Sequence, residues 1–572
     1  MKLVNLKIDD VDISVPAGTS ILDAAKQAGI KIPTLCYHPD LPVKASCRLC
    51  LVDTGRKKLE TACSTPVKEG MKVITNSKKV RDARRTALKL LLANHPQDCL
   101  TCVRNGSCEL QALAAELNIT DISFYNMVEK LPIDDSNLAI VRDQSKCIKC
   151  GRCIEVCQEV QCVGVINSSF RSGEYKMTTA FDKALAETDC VYCGQCSAVC
   201  PVGAIYEKDD TAKVWKALED PDMHVVVQTA PAVRVSIGEE FGLEPGSIVT
   251  GQMVAALRKL GFDKVFDTDF TADLTILEEG SELLERLKNG GAIPLITSCS
   301  PGWINFLERF YPELIPHVST CKSPQQMFGA LAKTYYPQKA GLSPDKVFVV
   351  SIMPCTAKKY ECARPEMNSS GYQDVDVVLT TRELGRMLKQ AGVNFENLEP
   401  EEFDDPLGIS TGAAVIFGAT GGVMEAALRT VYEIVTGTVL EDVDFKDVRG
   451  IKGIKEAEVE LDGQKVKVAV ANGLGNAKIL LDKIKNGECD YQFIEIMCCP
   501  GGCIGGGGQP YGTTNEIKEK RIKAIYDADK GMELRKSHEN PAVKILYEEF
   551  LGEPLSEKSH ELLHTHYVSK KK

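Results

Sequence analysis

Two stretches of this chain repeat one spacing of cysteines. Cys147-Ile-Lys-Cys150-Gly-Arg-Cys153-Ile-Glu-Val-Cys157 returns as Cys190-Val-Tyr-Cys193-Gly-Gln-Cys196-Ser-Ala-Val-Cys200-Pro201. Thiolates are soft ligands, and a doubled C-x2-C-x2-C-x3-C run is the mark of paired 4Fe–4S clusters. In such pairs the fourth cysteine of each run serves the other cluster. Cys147, Cys150, Cys153 and Cys200 are therefore expected at one cluster, and Cys190, Cys193, Cys196 and Cys157 at the other. Such a chain moves electrons.

Further ligand sets stand upstream and downstream. Cys36, Cys47, Cys50 and Cys63 combine a C-x2-C with two outlying thiols, which suits a 2Fe–2S cluster better than zinc beside so many iron–sulfur motifs. Cys99, Cys102 and Cys108 leave one iron corner open, and His95 is the candidate to fill it through an imidazole nitrogen. In the second half, three apolar runs each stop at a cysteine: Cys299, Cys355, and the pair Cys498-Cys499, followed by Cys503 and a run of glycines. No Lys-Ser/Thr follows those glycines, so a P-loop is disfavoured. The remaining Cys162, Cys321, Cys362 and Cys489 are expected as small buried hydrophobes.

The elements that must hold these residues divide into two textures. Leu3–Ile8 and Val11–Val15 alternate about Asp9-Asp10 and predict a hairpin; Ser20 is placed to cap a helix ending near Gly29. A helix is expected over Ala83–Asn94, and Leu131–Ser145 reads as a linker. Beyond about Glu207, short apolar runs (Val225–Gln228, Ala292–Thr297, Val347–Ile352, Asp376–Thr380, Tyr491–Ile496) alternate with helical patterns, as in an α/β fold with strands buried on both faces. Ligands in such folds gather beyond the strand carboxyl ends, where the three cysteine stretches lie.

With 68 basic and 79 acidic side chains the formal net charge is −11, which argues against nucleic-acid binding. One basic run, Lys78–Arg85, offers either a dock for an acidic electron carrier or a solvated helix face. No apolar run reaches the roughly 20 residues of a membrane span. Cysteines in metal-ligand spacings imply a reducing compartment, the cytoplasm.

Thr297-Ser-Cys-Ser-Pro-Gly-Trp303, Met353-Pro-Cys-Thr-Ala-Lys-Lys-Tyr-Glu361 and Glu495-Ile-Met-Cys-Cys-Pro-Gly-Gly-Cys503 resemble the three signature motifs of the FeFe (iron-only) hydrogenases, of the large multi-cluster monomeric clostridial type. The resemblance covers essentially the whole chain. It implies a multidomain α+β and α/β protein. A 2Fe–2S ferredoxin-like domain spans 1–80, and a 4Fe–4S domain with one histidine and three cysteine ligands spans 81–127. A two-4Fe–4S ferredoxin-like domain follows over 128–209, and a catalytic domain over 210–572. The implied activity is reversible reduction of protons to dihydrogen. The implied cofactors are one 2Fe–2S cluster, three accessory 4Fe–4S clusters and an H-cluster, a 4Fe–4S unit joined to a di-iron unit with CO, cyanide and azadithiolate. Ferredoxin or flavodoxin as carrier, maturation enzymes and possible flavoprotein subunits are the implied partners. The alternatives are a subunit of an electron-bifurcating NAD(P)H-linked complex and a non-catalytic iron–sulfur transfer or assembly protein.

By position the resemblance makes Cys355, Cys499 and Cys503 cluster ligands, with Cys503 as the bridge to the di-iron unit. Lys358, Ser323 and the surroundings of Pro231 and Gln325 would meet the cyanides, and Met353, Met497 and Phe417 would wall the site. Glu279, Glu282, Arg286 and Ser319 map onto the proton path; Glu279, Glu282 and Arg286 also share one face of the helix expected through Leu274–Leu287. Three positions depart from the family, one of them Ala232, where a serine is expected near a cyanide. The usual first motif has two adjacent cysteines, a proton relay and then a ligand; here Cys299 precedes Ser300. Register puts Cys299 at the relay and Ser300 at the ligand position, whereas the need for four thiolates favours Cys299 as ligand. Cys498 replaces the usual small residue and is a candidate proton donor or ligand.

Overall fold

A computed structural model describes residues 2–571 apart from 123, 125–127 and 462. The hairpin forms as Leu3–Ile8 against Val11–Pro16, and Met71–Val73 joins it in parallel. Ser20 accepts the Asp23 amide and starts the helix Ile21–Gln27. Cys50 and Cys63 lie in the apolar core of this unit with Ile8, Ile21 and Val52. The next helix begins at Lys78, earlier than the apolar pattern implies, because Ser77 accepts the Val80 amide; it ends at Ala93. The expected boundary at 127 lies outside the described residues.

The segment Leu131–Ser145 is not the linker its polar composition suggests. Ile133–Asp134 and Ile140–Asp143 are strands that pair antiparallel with each other, and Ile205–Glu207 joins the second. Arg142 and Asp143 are buried there, so polar residues here mark a packed interior and not a tether. Each cysteine run then turns through two left-handed residues. Lys149 and Gly151 have φ of 56° and 83°, and Tyr192 and Gly194 have 62° and 66°. This curls successive amides toward the inside of the loop, the arrangement that lets backbone N–H groups face cluster sulfur.

Two four-stranded sheets form the second half. One is parallel throughout, in the order Lys264–Asp267, His224–Thr229, Val347–Met353, Val377–Thr380. The other runs Leu295–Ile296, Phe493–Met497, Gln464–Asn472, with Ile454–Leu461 antiparallel at its edge. Val226, Val227, Val349 and Val350 are fully buried, and burial of each such side chain contributes about 1.5–3 kcal/mol. The run at Ala292–Thr297 pairs only at Leu295–Ile296. The buried helix Thr268–Asn289 is longer than the Leu274–Leu287 pattern, capped by Asp267 and ended by Gly290 in the left-handed region. Among the described residues no helix is long and apolar enough to cross a membrane.

Candidate active site

Strands from both sheets end around one cavity of about 690 Å³, mouth included. His224–Thr229 delivers Pro231; Val347–Met353 delivers Cys355 and, one helical turn on, Lys358; Leu295–Ile296 delivers Cys299 and Ser300; Phe493–Met497 delivers Cys498, Cys499 and Cys503. Gln325, Met353, Phe417 and Met497 complete the wall. Stretches far apart in sequence thus bring the thiols of Cys299, Cys355, Cys498, Cys499 and Cys503 to one place. The loops meet so closely that only glycine fits: a Cβ on Gly506 would stand 2.1 Å from the Pro354 carbonyl oxygen, and one on Gly502 2.6 Å from the Thr420 nitrogen.

The thiols are not equivalent. Burial raises the Cys355 thiol, and Cys499 and then Cys503 raise it further. Cys503 is pushed up to about 12 by burial and by Cys499. Cys299 is also raised by burial, but its leading charged neighbour is Glu279, ahead of Lys358 and Cys503. Cys355, Cys499 and Cys503 therefore form one mutually interacting set, and Cys299 sits between that set and a buried carboxyl. Ser300 is held by backbone: the Cys498 amide donates to its Oγ at 3.1 Å. The Cys498 thiol is raised by its neighbours Cys193 and Cys499, ahead of burial.

Lys358 donates to the Cys299 carbonyl at 3.1 Å and to Glu361 at 2.9 Å. Glu361 also accepts Ser323 at 2.9 Å and Gln325 at 3.1 Å, so one carboxylate fixes three residues expected at the cyanides. Glu361 closes the second signature motif in the sequence, but nothing there assigns it a role. Gln325 keeps a buried Oε1 with no partner among the described residues. The donor set fits an iron–sulfur group with anionic ligands: several soft thiols, a fixed ammonium, a bare amide oxygen and apolar walls.

Glu279 and Glu282 are buried, not a solvated face. Ser319 donates to Glu282 at 2.8 Å, and Arg286 donates to it at 2.6 Å. Glu279 is pushed up to about 8, first by burial and next by Glu282. Cys299, Glu279, Ser319, Glu282 and Arg286 thus line up from the cavity outward.

The accessory ligands are likewise gathered. Cys147, Cys150, Cys153 and Cys200 line one enclosed space, and Cys157, Cys190, Cys193 and Cys196 line another. Cys50 and Cys63 sulfurs lie 3.3 Å apart, and the Cys47 amide donates to Cys36 at 3.5 Å. Near Cys99, Cys102 and Cys108, His95 is buried with Nδ1 unpartnered among the described residues, and burial lowers its pKa toward the neutral, ligating form. Lys146 donates to Cys102 at 3.6 Å. The basic run is partly absorbed by structure: Arg84 is buried on the Leu51 carbonyl, while Lys78, Lys79 and Arg81 stay exposed. Cys321 and Cys362 are buried as expected of packing cysteines, but Cys489 is only half-buried and Cys162 is exposed.

The second ferredoxin-like loop packs directly on the cavity. Thr356 donates to the Tyr192 carbonyl at 2.7 Å, Gln195 donates to the Gly505 carbonyl at 2.9 Å, and a Cβ on Gly507 would lie 2.3 Å from the Cys193 carbonyl oxygen. Neither Thr356 nor Gln195 carries a motif of its own; only their neighbours' spacing marks the place.

Comparison with known proteins gives family matches along most of the chain. Residues 223–507 match the iron only hydrogenase large subunit, C-terminal domain, and 515–570 the iron hydrogenase small subunit. Residues 1–78 match a 2Fe-2S iron-sulfur cluster binding domain, 84–123 the NADH-ubiquinone oxidoreductase-G iron-sulfur binding region, and 146–204 a 4Fe-4S dicluster domain. The NADP-reducing hydrogenase subunit HndD of Solidesulfovibrio fructosivorans is 52% identical over 100% of both chains. Iron hydrogenase 1 of Clostridium pasteurianum is 41% identical over 98% of this chain and 99% of its own. A solved [FeFe]-hydrogenase, a variant of HydA1 from Chlamydomonas reinhardtii, superposes with a TM-score of 0.57 at 46% identity, covering 64% of this chain and 100% of its own. With its iron–sulfur modules followed by a thiol-lined cavity between two sheets, this chain belongs to the iron-only hydrogenases, enzymes that reversibly reduce protons to dihydrogen.

Proposed function

We propose that the cavity holds the H-cluster, on Cys355, Cys499 and Cys503, and that three accessory 4Fe–4S clusters and one 2Fe–2S cluster feed it. The observation that carries this is the convergence of those three thiols, from two different sheets, beside the ammonium of Lys358. When bound, the cluster supplies an iron site that takes up electrons and binds hydrogen. The chain's own residues do the rest. Lys358 and Gln325 orient the anionic ligands, with Glu361 locking both. Met353, Phe417 and Met497 keep bulk water from the pocket. Cys299 and Glu279 exchange a proton at the inner end of the acid chain, and Glu282, Ser319 and Arg286 replenish it.

Cys190, Cys193, Cys196 and Cys157 would hold the accessory cluster nearest the cavity, and Thr356 and Gln195 fasten its loop to the cavity wall, a short way for electrons to enter. Ferredoxin or flavodoxin is the proposed carrier and the cytoplasm the proposed compartment, with maturation enzymes building the di-iron unit. The full-length similarity to a subunit of an NADP-reducing hydrogenase favours a second setting, in which flavoprotein subunits deliver electrons from a nicotinamide donor.

Cys498 supplies the fourth thiolate and Ser300 does not ligate. Ser300 Oγ is engaged by the Cys498 amide, Cys299 has Glu279 as its leading charged neighbour, and Cys498 lines the cavity beside Cys499. In protein produced without maturation enzymes, Cys498→Ala is expected to lose about four irons per chain, the cavity cubane, while Ser300→Ala keeps them. The double variant Ser300→Cys/Cys498→Ala is expected to regain them. Iron analysis with electron paramagnetic resonance reads this, and full iron in Cys498→Ala would return ligation to Cys299 or Ser300.

The function itself is tested by anaerobic production with and without the maturation enzymes. Viologen-driven dihydrogen evolution is expected only from the matured protein; inactivity of both would leave an electron carrier.

A further inference from the structure

The helix that carries Glu279 and Glu282 also buries Glu278, which the proton path does not use. It is fully buried and accepts His564 Nε2 at 3.1 Å, Tyr547 OH at 2.6 Å and the Leu555 amide at 2.9 Å. These bonds hold it ionised against its burial. The other ring nitrogen of His564, Nδ1, lies 2.8 Å from Thr320 Oγ1. Thr320 in turn donates its amide to both oxygens of Glu282, at 3.2 and 3.1 Å. An oxygen of Glu282, the sulfur of Cys321 and a ring nitrogen of His564 all lie within 4.8 Å of one another. One water or one hydroxyl spans such a gap.

The register of this arrangement is fixed by backbone. Cys321 and His564 form an antiparallel bridge; Lys322 donates to the Leu563 carbonyl at 2.7 Å and Thr565 to the Thr320 carbonyl at 2.8 Å. The C-terminal segment is thereby sewn to the strand end that presents Ser319. On its outer side the ring of His564 packs on that of His560, centroids 4.4 Å apart, and His560 is exposed. An imidazole at the surface, a second buried behind it and a carboxylate chain beyond make a path from solvent to the interior.

We propose that His564, reached from solvent through His560, is a second proton donor to Glu282, parallel to the branch at Arg286. A proton taken from solvent by the His560 imidazole passes to His564. It then leaves the His564 ring for the Glu282 carboxylate, by way of Thr320 Oγ1 or a bridging water. The imidazolium returns to neutral imidazole and Glu282 becomes the acid; no electron moves and no co-reactant is consumed. Glu278 stabilises the imidazolium in transit, as a carboxylate does for a catalytic histidine. The groups that face His564 are Glu278 and Glu282 from the long helix, Thr320 and Cys321 from the strand end, and His560 from its own helix, with Tyr547 behind Glu278. The proposal rests on the Glu279–Glu282 route described above.

Two branches in parallel have a kinetic signature that a structural role lacks. His564→Gln and Arg286→Met are each expected to lower viologen-driven dihydrogen evolution by about 2- to 5-fold, and the pair together by about 10²-fold or more, beyond the product of the singles. Thr320→Val, which removes only the hydroxyl, is expected to pair with Arg286→Met in the same way. His564→Gln is also expected to change the shape of the pH profile of evolution in the Arg286→Met background. Losses that simply multiply, with an unchanged pH profile, would overturn the branch. So would a stoichiometric zinc ion in the purified protein that His564→Gln releases, since the same three atoms would then be ligands. If Glu279→Gln keeps full activity the underlying route fails; if it is inactive while the double variant only multiplies, the branch alone fails.

Discussion

Cys503→Ala is expected to lower dihydrogen evolution to background, a loss above about 10⁴-fold. Cys503 opens the short turn Cys503–Gly505 and lines the cavity with Cys355 and Cys499, its interacting neighbours. Alanine removes the sulfur that would bridge the two halves of the cofactor. It leaves the loop intact, because the loop is held by Arg521 on the Ile504 carbonyl at 2.7 Å and by the close approach of Gly506 to Pro354. The protein should therefore fold, keep the irons of its front modules and lose those of the cavity. Iron per chain and gas chromatography check this together. Activity above a tenth of the unsubstituted enzyme would place the chemistry elsewhere.

Glu279→Gln has the second largest expected effect, about 10²- to 10⁴-fold on evolution, the range for loss of a positioned acid–base group. Glutamine keeps the size of the buried side chain and removes its proton exchange. Because Glu279 titrates at about 8, it carries its proton at neutral pH and can hand it inward to Cys299. Evolution is expected to fall as pH rises through that value. The same shift has a stability consequence. A carboxyl whose pKa is higher in the fold than in the unfolded chain binds its proton more tightly when folded. Its contribution is intact below the ordinary value of 4.5 and is lost as pH climbs toward about 8. Thermal unfolding at pH 6 and pH 9 should show a smaller alkaline decrease in Glu279→Gln. An unchanged pH dependence of both rate and stability would mean that Glu279 is not the buried acid described.

The iron–sulfur half and the architecture are largely legible in the residues. Doubled cysteine spacing names its ligands because short spacers leave the chain few ways to close around a cluster. The two enclosed spaces hold the crossed sets, one with Cys200 beside Cys147, Cys150 and Cys153, the other with Cys157 beside Cys190, Cys193 and Cys196. The α/β texture is legible from buried apolar runs, and the fold class stands as expected. Composition misleads elsewhere. Leu131–Ser145 looks like a linker because Asp143 and Arg142 are polar, yet both are buried in a sheet. The strands Lys264–Asp267 and Gln464–Asn472 give no clear apolar run, being short or interrupted by lysine.

At the site, the cysteines stand out by their spacing and Lys358 by its place in a motif that resembles the family's, but their supports do not. Glu361, Thr356 and Gln195 act through contacts with residues far away in sequence, which no local pattern encodes. The same holds for His564, 286 positions from Glu278. The pair Ser300 and Cys498 shows the limit most clearly. Sequence register alone sets Ser300 at a ligand position, whereas the structure ties its hydroxyl to the Cys498 amide.

The central claim is that thiols from Cys355, Cys499 and Cys503 hold one organometallic iron centre in an apolar pocket beside Lys358. Infrared spectroscopy of the anaerobically matured protein tests it most directly. Sharp bands of metal-bound CO and cyanide are predicted in the matured protein and absent from matured Cys503→Ala. A matured protein with full front-module iron and no such bands, or bands that survive in Cys503→Ala, would contradict it.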